Sequence, residues 1–299
     1  MVAYKSPLAR SATAQPLAAA KTPSYLDQMN RTREQIEQKA CQDIRFSKPV
    51  VSLSGTGIIY PNSITTIQGQ KGAHKSRLTE IICAAILCKL MGENAIGVTV
   101  EPDILFHCVY VDSERNKNDQ FPYAIQRIKE RAGYQKHEHP PDLEAISLID
   151  IAREERFEAL TQYLESIHSR HSEKYTIVVL DVITDCIGSF NDPKESMKLI
   201  DHLNKAINKY NVSFVCVIHE NPNSFGDSKA RGHLGTELIN KATTVLSIGY
   251  EKTANKASSD LLSIKFIHTR SSKRPDPLHV RYCEQERGLV LADEGFVQE

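Results

Sequence analysis

Gly69-Gln70-Lys71-Gly72-Ala73-His74-Lys75-Ser76 closes a glycine-containing turn with a lysine and a hydroxyl. The spacing GxxxxxK[ST] suits a triphosphate. Backbone N–H groups converge on phosphate oxygens, the lysine bridges the β- and γ-phosphates, and the hydroxyl ligates Mg²⁺. The candidate ATP-binding residues are Gly69, Gln70, Lys71, Gly72, Ala73, His74, Lys75, Ser76 and Arg77, with Ser76 also a metal ligand. His74 departs from the fuller pattern, which has glycine there so that the backbone can approach the phosphates or take unusual dihedrals. The alternative is a ligand-free Gly-Lys turn.

A second signal lies about a hundred residues on. Val178-Val179-Leu180-Asp181 is an apolar run ending in a carboxylate, the Walker B pattern in which Asp181 orients the water shell of Mg²⁺. Glu114 follows the strand after the phosphate loop and is placed to polarise an attacking water. Asp112, two residues earlier, competes for that role, and both fit a plain strand end equally. His219 closes the next apolar run; it reads as a γ-phosphate sensor or as a structural histidine. The polar loop from Asn221 to Gly235 carries Lys229 and Arg231, which suit a phosphate or a nucleic-acid backbone, or simply solvent.

The elements that must hold these residues alternate. Ser63 to Ile67 reads as a strand, and Leu78, Ile81, Ile82, Ala85, Ile86 and Leu90 repeat at helical spacing after it, stopping by Gly92. Strands follow at 104–111, 145–150, 176–180, 212–218 and 244–248, with helices at 121–132, 153–169, 193–210 and 235–241 between them. The strands are Ile/Val/Leu runs without alternation, as in parallel strands buried on both faces. Three later runs, 261–269, 278–283 and 289–292, lack intervening helices and predict an antiparallel extension. Val50 to Leu53 reads as a short strand, with Gly55, Gly57, Pro61 and Asn62 marking turns. Residues 1–24 read as a disordered tail, 25–49 as a helical segment, and 50–299 as one α/β domain, a mostly parallel sheet with helices on both faces.

Lysine plus arginine equals aspartate plus glutamate, at 37 each, so no overall basic field advertises nucleic acid. Seven scattered cysteines without a CxxC pair read as core hydrophobes in a reducing compartment. With no long apolar stretch and no signal-peptide core, the expected location is cytoplasmic, without a membrane partner.

Together, Gly69–Ser76, Val109-Tyr110-Val111-Asp112-Ser113-Glu114, Val178–Asp181, Val217-Ile218-His219 and Ala230–Glu237 resemble the RecA-like P-loop ATPases related to RepA-type replicative helicases and the DnaB family. They are most similar to RecA-fold ATPases of Bacteroidetes mobile elements. The resemblance implies ATP hydrolysis with Mg²⁺, a homo-oligomer that is often a hexameric ring, and action on single-stranded DNA. It places Lys75 and Ser76 on phosphate and metal, Glu114 as base, Asp181 as the Walker B carboxylate and His219 as sensor. Arg231 falls on an inter-subunit arginine, and Arg270, Lys273 and Arg274 match the basic pair of such rings more loosely. The expected function is a helicase-like ATP-driven motor for replication or mobilisation of a mobile element. The competing reading is a nucleotide-gated regulatory or DNA-binding protein with little hydrolysis. A small-molecule kinase fits less well, because no lid is evident.

Overall fold

The buried runs build one nine-stranded sheet, and their register decides where chemistry can sit. The computed structural model describes residues 24–88, 96–221, 229–252, 258–270 and 272–292; residues 1–23 of the expected tail at 1–24 and the helix stop at Gly92 lie outside them. Helix α1 (Tyr25–Ala40) forms a unit by itself. Ser24 and Asp27 close a reciprocal capping box at its start, and none of its residues is buried.

In the second unit the elements run β1 (Val51–Leu53), β2 (Thr56–Ile59), β3 (Ile64–Gly69), α2 (Lys75–Leu87), β4 (Val98–Val100), β5 (Phe106–Asp112), α3 (Gln120–Arg131) and β6 (Leu143–Ser147). Then come α4 (Arg156–Arg170), β7 (Tyr175–Asp181), α5 (Pro193–Tyr210), β8 (Val212–His219), α6 (Gly232–Lys241), β9 (Thr244–Lys252), β10 (Ser258–Thr269), β11 (Leu278–Cys283) and β12 (Gly288–Leu291). The main sheet has the order β12-β11-β10-β9-β3-β8-β7-β5-β6. From β9 to β6 the pairings are parallel; β10, β11 and β12 continue antiparallel, as the helix-free tail of the sequence predicts.

The missing alternation has a direct cause. Cys108 and Tyr110 of β5 join a core with α2 and α3, while Val109 and Val111 join a second core with α4, α5 and α6. Both faces need apolar side chains, so period two vanishes from the sequence. Helix α5 starts at Pro193 as the sequence indicates, and the structure adds that Asp192 accepts from the N–H groups of Lys194 and Glu195. Cys83, Cys108, Cys186 and Cys216 are buried as small core residues.

In the segment from 50 to 62 the expected strand at Val51–Leu53 and the turns at Gly55 and at Pro61-Asn62 are present, and only 56–59 departs from expectation. Thr56–Ile59 is a strand rather than a run of turns, and it pairs back on β1 through the two-residue link Ser54-Gly55. Both link residues have positive φ, 48° and 78°, which lets so short a hairpin close. With β4 they form a separate three-stranded antiparallel sheet. Helix α2 ends at Leu87, and α6 begins at Gly232, three residues earlier than the sequence indicates. Among the described residues no helix is long and apolar enough to cross a membrane.

Candidate nucleotide site at the carboxyl edge of the sheet

Register brings the predicted site residues together. Gly69 pairs with His219 across β3 and β8, and Asp112 pairs with Asp181 across β5 and β7. Since β3, β8, β7 and β5 are consecutive neighbours, these ends line one edge of the sheet, where open α/β sheets bind ligands. Two adjoining clefts of about 460 and 590 Å³ open there and share Lys71, Glu114, Val182 and His219.

Between β3 and α2 the loop is shaped by backbone constraints. A Cβ on Gly69 would lie 2.4 Å from the Ile248 carbonyl oxygen, and Gly72 has φ +82°, so both positions demand glycine. His74 is the N-cap of α2 and is left-handed, φ 60° and ψ 24°. A non-glycine residue is uncommon there. Its ring stacks on Tyr282, with centroids 5.1 Å apart and an interplanar angle of 12°, and its Nε2 lies 3.0 Å from the Tyr250 hydroxyl. The departure from glycine is thus a clasp between the loop and the antiparallel strands.

Lys75 is buried, and its Nζ donates to the carbonyls of Gly69 (3.0 Å) and Gln70 (2.9 Å). Burial lowers the pKa of this ammonium, against the pull of Asp181, Glu220 and Glu114. Ser76 and Arg77 line the cleft beside it, with Lys71, Gly72 and His74; Gln70 lines the adjoining one. Ala73 is buried under the loop.

Asp181 is buried at the end of β7. Its Oδ2 accepts from the Tyr110 hydroxyl (2.7 Å) and from Arg115 (3.0 Å). Arg115 also binds Asp112 at 2.6 Å and Glu80 at 3.2 Å. Asp112 in turn accepts from the N–H groups of Glu114 (3.1 Å) and Arg115 (2.7 Å). These bonds separate the two candidate carboxylates: Asp112 is buried and committed to shaping the turn, whereas Glu114 is exposed on the cleft.

Sequence reasoning missed the group behind this turn. Glu80, one helical turn beyond Ser76, is buried among Arg77, Arg115 and Arg127. Burial pushes its carboxyl up to about 7 in spite of these guanidiniums. The available signal was a carboxylate in an otherwise apolar helix face, which must find partners when buried.

Glu114 Oε2 lies 4.0 Å from His219 Nε2. Burial, then Asp185, Asp181 and Asp112, raise the Glu114 pKa. Burial, then Lys75 and Arg231, lower that of His219, so the imidazole is neutral near pH 7. His219 Nδ1 sits 3.2 Å from Lys75 Nζ. Because an ammonium has only hydrogens to give, Nδ1 is assigned as acceptor and Nε2–H faces Glu114.

Arg231 caps α6, lies over the Phe190 ring at 4.7 Å and lines the cleft with Gln70 and His219. Lys229 borders the adjoining hollow; residues 222–228 of that loop lie outside those described. The late basic residues are elsewhere: Arg270 donates to the Asn240 carbonyl at 2.6 Å, and Lys273 and Arg274 are exposed.

The strand order and connectivity define a RecA-like α/β fold. The chain belongs to the AAA domain family, whose model matches residues 31–224. Among solved structures it is similar to the crystal structure of the RadB recombinase, with a TM-score of 0.52 and 14% identity, covering 81% of this chain and 95% of that one. No curated protein matches.

Proposed function

We propose that the chain is an ATP-hydrolysing, helicase-like motor that acts on single-stranded DNA as a homo-oligomer, in replication or mobilisation of a mobile element. The observation that carries the reading is the alignment of Gly69, His219 and Asp181 at one sheet edge, with Lys75 between them. The residues fit Mg²⁺-ATP: two glycine-only loop positions, a buried ammonium turned onto carbonyls, and a buried carboxylate whose bonds here fall on one oxygen. Lys75 and the loop amides from Gln70 to Arg77 would hold phosphate, and Ser76 with Asp181 would hold the metal, which supplies charge neutralisation at the phosphates. Glu114, with its raised pKa, takes a proton from water, and the neutral Nε2–H of His219 reads the nearby charge. The similarity to a recombinase supports DNA as the substrate class. The test is ATP turnover and particle mass, each with and without single-stranded DNA. Turnover indifferent to DNA from a monomer would sink the motor reading.

Glu114→Gln is expected to keep ATP affinity and lower turnover by about 10²–10⁴-fold. One observation favours a second reading, a nucleotide-gated switch: Arg115 already occupies Asp181, the carboxylate a metal must share. Negligible turnover in the unmodified chain, unchanged by Glu114→Gln, would select it.

Arg231→Ala is expected to spare binding and slow turnover about a thousandfold. The resemblance assigns this arginine to a neighbour's nucleotide, whereas within one chain it faces the chain's own cleft. Mixing Arg231→Ala with Lys75→Ala protein separates the two. Recovered turnover means the arginine acts on the neighbour; none means it acts at home.

A further inference from the structure

At the opposite end of β5 from the nucleotide cleft, three side chains gather that this chemistry does not use. His107 and Asp112 are five residues apart on β5, roughly 16 Å along the strand. His107 is fully buried, and neither ring nitrogen has a hydrogen-bond partner among the described residues. Its Nε2 approaches Glu144 Oε1 of β6 at 3.3 Å, outside hydrogen-bonding geometry. His171, the C-cap of α4, brings its own Nε2 to 3.6 Å from the same oxygen.

We propose that His107, Glu144 and His171 form a binding site for a divalent transition-metal ion, with Zn²⁺ the best match to two imidazoles and a carboxylate. The three ligand atoms lie within 4.8 Å of one another. Tetrahedral Zn²⁺ with bonds of roughly 2.0–2.1 Å sets its ligand atoms about 3.3 Å apart, close to both observed nitrogen–oxygen separations. A buried imidazole with two idle nitrogens is costly, and a metal bond at Nε2 removes half of that cost.

The rings now stack, with centroids 4.1 Å apart and planes 18° from parallel, so one must turn for both lone pairs to converge. His107 is enclosed within the sheet. His171 is at a helix end and part-exposed, and it is the ring that turns. Arg170 holds Glu144 through two nitrogens, at 2.7 and 3.2 Å, and Tyr163 also donates to Glu144. Metal at Oε1 displaces one arm of Arg170 and leaves Oε2 with Tyr163 as an outer support. Solvent completes the fourth position. The ion would tie β5, β6 and the end of α4 together.

The test uses full-length, chelator-stripped, nucleotide-free protein titrated with Zn²⁺ in excess Mg²⁺, which occupies oxygen-rich sites. One equivalent is expected to bind, with a rise of several degrees in melting temperature. His171→Ala should weaken that equivalent at least tenfold and abolish the rise. Arg170→Ala, which removes the competitor for Glu144, should tighten it several-fold. Co²⁺ in place of Zn²⁺ should give visible d–d bands without thiolate charge-transfer absorption. Equal Zn²⁺ affinity in the unmodified chain and His171→Ala, or weaker affinity in Arg170→Ala, overturns the site. A thiolate band would assign the ion to cysteine and overturn it as well.

Discussion

Lys75→Ala should weaken ATP binding at least a hundredfold while leaving the melting temperature nearly unchanged. The affinity follows from two charge-assisted bonds to phosphate, each worth about 1.5–3 kcal/mol, and about 3 kcal/mol already exceeds a hundredfold. The small stability effect follows from the atoms left behind. The Gly69 carbonyl still accepts from the Glu220 N–H at 3.0 Å, and that of Gln70 from the Ala73 N–H at 3.2 Å. Neither is orphaned when the ammonium goes, and the cost of burying a cation goes with it. A nucleotide titration beside a thermal melt reads both. Undiminished affinity would remove the assigned site.

The largest stability loss is expected at Glu80. Glu80→Ala strips the shared carboxylate from Arg77, Arg115 and Arg127. Arg127 is buried, and breaking a buried pair from one side costs about 3–5 kcal/mol. For a domain of this size each kcal/mol moves the melting temperature by about 2–4 °C, so a fall of about 6–20 °C is expected. Arg115 keeps Asp112 and Asp181, so Arg127 bears most of the damage. The double variant Glu80→Ala/Arg127→Ala should then regain part of the loss, by the non-additivity of paired sites. Simple addition of the two single effects would show that the pair is not the source.

The sheet was legible where a local rule had a single outcome. Apolar runs ending in Asp112, Asp181 and His219 announced β5, β7 and β8, because a strand buried on both faces permits little else. The helix read at 193–210 matches α5, with Pro193 in its first turn. The small sheet was legible only in part: β1 was read at Val50 to Leu53, but β4 has three residues, too few to show a period. Gly55, Pro61 and Asn62 do lie in turns, whereas Gly57, read as one, belongs to β2.

The site divides in the same way. The candidate loop from Gly69 to Ser76 is contiguous in sequence, so its residues could be picked out together. The cluster of Glu80, Arg115 and Arg127 joins residues 35 and 47 positions apart, and only the folded chain brings them together. Spacing left Asp112 and Glu114 as competitors and the resemblance favoured Glu114; that Asp112 is buried and Glu114 exposed is something spacing does not encode.

The clasp at His74 has a mechanical consequence. A glycine at position 74 would have no side chain to reach the neighbouring strands, whereas here one imidazole links β9 and β11 to the candidate phosphate turn. Displacing either strand would break the Tyr282 stack or the Tyr250 contact that holds the imidazole, at a residue whose left-handed backbone is already uncommon without glycine.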